Sequence, residues 1–590
     1  MKTKRSFILL SILLFLFSLI PVLTALYSPG LEGTLRIDPL YGNTLHIDEY
    51  DLDIYGIDRN GVTYFCLPSF INLTRIDMSD SPLRIFLEDG SVLDKPHVGD
   101  PQSINVETQE GSLVPWKIEF MRSANLNTVF LDLDDAKLSD IEHDSYTPVN
   151  VQIYSPSGTL KYNDDSAFIK GRGNATWKTD YFEPEKKPYE LTFSEDVRIG
   201  ELSPKKKWTL LANTYEGTKI LNKMVLDAAV KIDMKYVSDC DWIDLYANGV
   251  YLGNYLVCSE PDDTLSSVIS GGGWLVEKND TYYKNKPFGF TTSNDAFSIK
   301  APDDPTDTYV SGISAQVNRI DLAINNNDAI SNNLVDLDSF VRWYMLEEIF
   351  YNEDALITSC FFYNSGSDDI IHAGPPWDFD NTCGEGGGRF LDYNGSILNE
   401  PEDRKPLDWY NTLCENPIFC ARLSELFSEY APVFDRLISR GIDEYYQRTG
   451  QSAQMDRAIY GIQGYGQDYT VPGYYTSTED NIRYTKYFLS KRLQYLADKW
   501  GYAGSLSTID TGNNSYHDVS FVYSDLEIKH VSVIDGDTLK GSDIPTLDPV
   551  LYKGWIYESN GLALSYFIPV YEECSFIPEI RQEVTSNEQL

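Results

Sequence analysis

Two acidic residues about 24 positions apart, Asp354 and Asp378, sit in the stretch with the most chemical content, NEDALITSCFFYNSGSDDIIHAGPPWDFD, from Asn352 to Asp380. Ahead of it, Asp338 to Tyr351 opens on an acidic capping residue. Phe340, Val341, Tyr344, Met345 and Ile349 then recur at helical spacing, which places Asp354 just past the end of a packed helix. A β-type run, Cys360 to Tyr363, follows. A Gly/Ser/Asp turn and a second short run then lead into Pro375-Pro376-Trp377-Asp378-Phe379-Asp380. Carboxylates on consecutive short strands can face one site, one as proton acceptor and the other as metal holder. Phosphoryl transfer needs such parts, because catalysis there is mostly positioning and charge neutralisation. Read alone, the pair fits turn carboxylates on a solvated face better, since Asp is a common turn former.

A second stretch differs in charge. Lys170 to Lys207 holds nine Lys/Arg against seven Asp/Glu in a chain of net charge −41, so this region can attract anions. Lys186-Lys187 heads the strand-like run KKPYELTF. A strand lysine aimed into a cleft can hold nucleotide phosphates, although a lone Lys pair reads far better as a solvated strand end. Gly171-Arg172-Gly173-Asn174 is glycine-rich but lacks both GxxxxGK[ST] and the full GxGxxG. As a phosphate motif it is weak, and a turn before Trp177 explains it as well.

The elements that must position these residues follow from composition and pattern. With 590 residues, 42% hydrophobic and 13% aromatic, the chain can bury several cores. Its 89 acidic against 48 basic residues exclude nucleic acid and anionic membrane surfaces as main partners. MKTKRSFILLSILLFLFSLIPVLTAL, residues 1–26, reads as a secretory signal or uncleaved signal anchor, which predicts an extracellular or cell-surface protein. Membrane contact is expected only through that segment if it is retained. None of the eight cysteines forms a CxxC pair and the six histidines are scattered, which argues against a zinc site. Cys240 and Cys258 flank DLYANGVYLGNYLV. If Asn248-Gly249 is a two-residue turn they lie nearly opposite each other, as a bridge or as buried free thiols.

Residues 27–125 carry β-type runs joined at Asn60-Gly61 and Asp89-Gly90 and read as a small β-rich domain. Residues 126–500 hold strands first and long helices later: Gly217 to Ile232, Asp338 to Tyr351, Ile418 to Tyr430, Val433 to Tyr446 and Ile482 to Trp500. That order suggests an α+β domain with two lobes. A polar linker, 501–515, leads to a β-rich module at 516–581 and a polar tail at 582–590. GDTLKGSDIPTLDPVLYKGWIYESNG in that module resembles one unit of the Listeria–Bacteroides repeat, which implies a small grasp-type fold.

The series FIKGRGNATW, KKPYELTF, KKWTLLANTYEGTKILNKMVLD, DLYANGVYLGNYLVCSEP, the NED of Asn352 to Asp354, and PPWDFD resembles, in order, the CotH family of spore coat protein H-like atypical protein kinases. The resemblance covers about 126–500. It implies a two-lobed, divergent protein-kinase-like fold flanked here by small β-rich domains, and transfer of the ATP γ-phosphate to Ser/Thr of a surface or coat protein with Mg2+ or Mn2+. Carried over by position, Lys187 or Lys186 resembles the phosphate-binding lysine, Asp354 the catalytic base and Asp378 the metal ligand, with Asp380 as a second metal candidate. Arg172 and Glu260 join the cofactor-binding candidates. Where the family carries His-Asn or a similar pair after the base, this chain has Thr358-Ser359, and the glycine run Gly384 to Gly388 is longer than the family pattern.

Two further classes are kept open. A catalytically weak scaffold or adhesion protein would use the β modules for contacts, and would have no need to keep Lys187, Asp354 and Asp378 together. A carbohydrate-active protein would need two acids beside sugar-stacking aromatics at one cleft, and no such cleft is identifiable in the sequence.

Overall fold

In this computed structural model the described residues are 33–580, apart from 39–41, 73–75, 78–83, 94–97, 100, 108–110, 135, 175, 179–182, 279–287, 387–388, 391–392, 400–406, 462–477, 508–515, 524–525, 535–538, 540–542, 549–550, 560, 562–563, 565–569 and 571. The expected signal segment 1–26, the tail 582–590 and part of the Gly384–Gly388 run lie outside them. The architecture is mixed α+β. A closed seven-stranded barrel is formed by β1 (Asn127–Asp132), β2 (Thr147–Tyr154), β3 (Leu160–Gly171), β4 (Tyr189–Val197), β5 (Lys205–Leu211), β6 (Cys240–Ala247) and β7 (Val250–Cys258), in the order β1-β2-β3-β4-β5-β7-β6. Its neighbours are antiparallel except for the closing pair β1 and β6, where Val129 stands beside Leu245 in parallel register. Alternation puts Val129, Val151, Ile169, Leu191, Trp208 and Val257 into one fully buried interior. At the β6–β7 turn Asn248 and Gly249 both take positive φ, 45° and 78°, as an Asn-Gly hairpin requires. Cys240 and Cys258 are direct ladder partners there, and all eight cysteines are free thiols.

A second antiparallel sheet runs β9-β10-β8-β11-β12, from β8 (Trp274–Lys278), β9 (Gly289–Thr291), β10 (Ala296–Ala301), β11 (Cys360–Asn364) and β12 (Ile371–Ala373). The main helices are α1 (Leu221–Lys231), α2 (Asp307–Asn325), α3 (Leu337–Phe350), α4 (Trp409–Glu415), α5 (Pro417–Arg436), α6 (Ile442–Tyr460), which packs against β7, and α7 (Thr478–Trp500). The largest core joins α1, α3, α5 and α7 to this sheet.

Several expectations need correction. The cap of α3 is Asp336, whose side chain accepts from the Ser339 N–H at 2.8 Å. Asp338 sits inside the first turn and is gripped by Arg422 at 2.7 and 2.9 Å. The helices expected separately at Ile418 to Tyr430 and Val433 to Tyr446 are not divided at Pro432. The helix runs through it, and the irregularity is a π-helical turn at Leu437–Gly441. The helix expected from Gly217 starts only at Leu221, because Glu216 accepts the Leu221 N–H at 2.9 Å and Lys219 takes φ 62°. Lys186 and Lys187 precede β4 rather than lie in it.

Two sheets from residues 33–122 bury Phe65, Phe120, Ile104 and Leu45 together with Phe130, Tyr246 and Tyr251 of the barrel and Met455 and Ile459 of α6. The C-terminal sheet pairs Tyr516–Tyr523 in parallel with Cys574–Ile580, with antiparallel strands on either side, around Val519, Phe521, Trp555 and Phe576. Of the stretch 501–515, Tyr502 and Leu506 pack against the helical core and the Ser507 N–H binds Asp435 at 2.7 Å. Residues 508–515 lie outside the described set.

Candidate active site

Neither of the two leading aspartates is on a strand. Asp354 belongs to the turns between α3 and β11. α3 ends when Tyr351 adopts φ 48°, and the chain then folds back on itself. Asp378 follows β12, which stops because Pro375 and Pro376 have no N–H to continue the ladder. Asp378 takes φ 70°.

The two segments are stitched together at the backbone. The Glu353 N–H donates to the Asn381 carbonyl at 3.0 Å and the Cys383 N–H to the Phe350 carbonyl at 2.7 Å. The Asn352 amide binds the Glu347 carboxylate at 2.9 Å and the Asp378 carbonyl at 3.2 Å, while its oxygen accepts the Asp354 N–H at 3.1 Å. From α1, Asn222 accepts the Phe379 N–H at 2.8 Å. On the side chains, Ser359 donates to Asp378 Oδ2 at 2.9 Å and Asn381 donates to Asp354 Oδ2 at 2.5 Å.

Asp354, Asp378 and Asp380 each keep part of their surface open. Protein atoms ring Asp378 and Asp380 closely enough to strip most hydration. That desolvation, with the charge of Asp354, raises the Asp378 carboxyl above the usual range, against the Ser359 hydrogen bond and the Arg172 charge. Desolvation first, then Asp378, Asp354 and Glu216, raises Asp380 well above it. Carboxylates that disfavour one another's charge in a poorly hydrated place are short of cations. Glu216, fully buried in the loop after β5, is pushed up to about 7 by burial, against the Leu221 N–H and Lys219.

The cationic side comes from the barrel. Arg172, just past β3, lies 3.3 Å from Glu260, which also accepts from the Thr209 hydroxyl at 2.9 Å and faces Lys207 at 3.8 Å. Against the upward push of burial, Arg172, Lys207 and Thr209 hold the Glu260 carboxyl down to about 2. A Cβ on Gly171 would meet the Trp177 ring at 2.4 Å, so glycine here serves close packing.

The two adjacent lysines part company. The Lys186 side chain is 1% exposed. Its ammonium donates to the Ala212 and Asn254 carbonyls, each at 2.5 Å, and lies 2.5 Å from Asp456 of α6. Those three partners match its three protons. Lys219 approaches the same aspartate at 3.3 Å. A Cβ on Gly253 would meet Asp456 Oδ2 at 2.4 Å, so this strand glycine lets the helix come close. The Lys187 side chain is 21% exposed, pairs with Glu183 at 2.5 Å and lies over the Trp177 ring at 4.5 Å.

The structure thus gathers Asp354, Asp378 and Asp380, sets Arg172 within electrostatic reach of Asp378, and ties Glu260 to Arg172. It does not join Lys186 and Lys187 at one point. Among the described residues no group of three or more His, Cys, Asp or Glu forms a ready-made metal cage. The donor set still fits a hard divalent cation, since Mg2+ takes one or two carboxylates and fills its shell with phosphate oxygens and water. The sequence reading missed Glu216, Lys219, Asn222, Asn381 and Asp456 as site or support residues. The first three lie in the block KKWTLLANTYEGTKILNKMVLD, where they could have been found. Asp456 carries no local signal.

The family model described as CotH kinase protein matches residues 169–496, more than half of the chain. The chain belongs to the CotH kinase family. The match begins inside β3, so the barrel strands β1 and β2 precede it. No curated protein matches the chain.

Proposed function

We propose that the chain is an ATP-dependent protein kinase, exported to the cell surface or beyond, that phosphorylates Ser or Thr of a surface or coat protein. The observation that carries this reading is the convergence of Asp354, Asp378 and Asp380 from two backbone-stitched segments, with Arg172 of the barrel within electrostatic reach of Asp378. On this reading the barrel and the helical part are the two lobes of a kinase-like domain. The sheets of 33–122 and the C-terminal sheet, taken as a grasp-type module, flank it. Asp354 orients the incoming hydroxyl and accepts its proton. Asp378 and Asp380 hold Mg2+ or Mn2+, and the chemistry supplied there by a bound divalent cation is neutralisation of phosphate charge. Arg172, fixed by Glu260, offers a planar fork to phosphate oxygens. Lys187 is the lysine with room to swing toward ATP, whereas Lys186 fixes the head of β4 to α6. Export rests on the basic-then-apolar composition of residues 1–26.

The test is incubation of the purified chain with labelled ATP, Mg2+ or Mn2+, and a generic protein substrate. Label on the substrate or on the chain itself is the expected result. The scaffold reading draws on the full engagement of Lys186 and on Ser359 standing where the family has an amide. A chain that neither binds ATP nor transfers label with either metal would be a scaffold.

A further inference from the structure

Resting on the kinase reading, we propose that Asn381 is the positioning residue of the catalytic base, reaching it from the segment that carries Asp378 and Asp380. The amide nitrogen of Asn381 lies 2.5 Å from Asp354 Oδ2. An ionised carboxylate only accepts hydrogen bonds, so the NH2 end of the amide must face it. Asn381 is itself anchored, being 9% exposed. Its carbonyl takes the Glu353 N–H at 3.0 Å, and beside it the Thr382 hydroxyl binds the Phe379 carbonyl at 2.9 Å. One residue therefore holds both the backbone that precedes Asp354 and one carboxylate oxygen.

The hydroxyl of Ser359, five positions after the base, is turned to Asp378 Oδ2 at 2.9 Å. That side chain supports the metal-holding acid, and the base is held by the Asn381 amide. A carboxylate on a turn can rotate about its own side-chain bonds, and a charge-assisted hydrogen bond to one oxygen fixes its plane. A base must sit within hydrogen-bond reach of the proton it takes, so fixing that plane bears on turnover more than on ATP affinity.

The test is a double-mutant cycle with two kinds of readout. Asn381→Leu keeps the shape and removes the donor. It is expected to lower kcat at least tenfold. KM for ATP, and Mg2+-dependent ATP binding by calorimetry, should stay within threefold. Asn381→Gln, which can still present an amide, should recover part of kcat. Because Asn381 acts through Asp354, adding Asn381→Leu to Asp354→Asn should lower the residual rate no further. Unchanged kcat in Asn381→Leu, a loss confined to ATP binding, or additive losses in the double variant each overturn the role. Should Asn381→Leu fail to fold, Asn381→Ala replaces it in the same cycle. A parent chain that binds ATP but transfers no phosphate overturns the kinase reading and this role with it. A parent that transfers phosphate while the cycle is additive overturns only the role of Asn381.

Discussion

At the scale of single residues, Asp354 and Asp378 differ in surroundings and should fail differently. The Asp354 backbone is tied to Asn352 and its carboxylate to Asn381. Asp354→Asn should therefore retain ATP while turnover falls by a factor of about a hundred or more, within the range general-base catalysis contributes. Asp378 borders Asp380 and Ser359, and Asp378→Asn should lose metal-dependent ATP binding together with turnover, with excess metal restoring part of the binding. Calorimetric ATP titration of both variants, with and without metal, decides it, and the reverse pattern would exchange the two roles. The lysines give a second contrast. Lys187→Ala should weaken ATP binding and leave the melting temperature near the parent's. Lys186→Ala strips the closest cation from fully buried Asp456 and should cost about 3–5 kcal/mol of stability. Equal melting temperatures for the two variants would refute that assignment. The acids were legible in the sequence as a pair beside a helix, although the reading that faced them to one site put them on strands rather than turns. The Lys186–Asp456 pair was not, because its partners are 270 positions apart and nothing local marks either one.

The Asn248-Gly249 hairpin and α3 were legible because turn chemistry and helical spacing are local. The closure of the barrel was not, since β1 and β6 meet in parallel across more than a hundred residues. The continuity of α5 through Pro432 was not legible for a related reason: packing of Tyr430, Ala431 and Phe434 into the core outweighs the helix-breaking tendency of one proline. α3 also carries a pH effect. Burial, against the Asn352 hydrogen bond and with the charge of Asp378, pushes the Glu347 carboxyl from its ordinary 4.5 up to about 8. Between those two values the folded chain holds a proton that the unfolded chain has released. This group's contribution to stability is thus fully present below about 4.5 and is lost as pH rises through about 8. Glu347→Gln keeps an acceptor for Asn352 and removes the titration. The parent's melting temperature relative to this variant should fall from pH 5 to about pH 8 and level off by pH 9. A difference that stays constant across that range would show that Glu347 does not titrate there.

For the whole molecule, the two flanking β regions are attached in different ways, and truncation should separate them. The C-terminal sheet closes its own core around Val519, Phe521, Trp555 and Phe576. Removing 516–590 should leave the barrel and helices folded, with a melting temperature within a few degrees of the parent's. The N-terminal sheets have no such independence. Their core is completed by Tyr246 and Tyr251 of the barrel and by Met455 and Ile459 of α6. Arg59 donates to the Ile459 carbonyl at 2.8 Å, and the Tyr246 hydroxyl donates to the Cys66 carbonyl at 3.1 Å. Deleting residues 1–122 would expose those four large apolar side chains at about 1.5–3 kcal/mol each, against a total stability of only about 5–15 kcal/mol. The same deletion frees the outer side of α6, whose Asp456 holds Lys186 and Lys219 beneath the barrel. The shortened chain should be insoluble or melt at least 10 °C lower. Any soluble fraction should bind ATP more weakly than the chain lacking 516–590. Thermal melts and ATP titrations of the two truncations make the comparison. An N-terminal truncation as stable as the C-terminal one would mean that the shared core around Met455 and Ile459 contributes little to holding α6 in place.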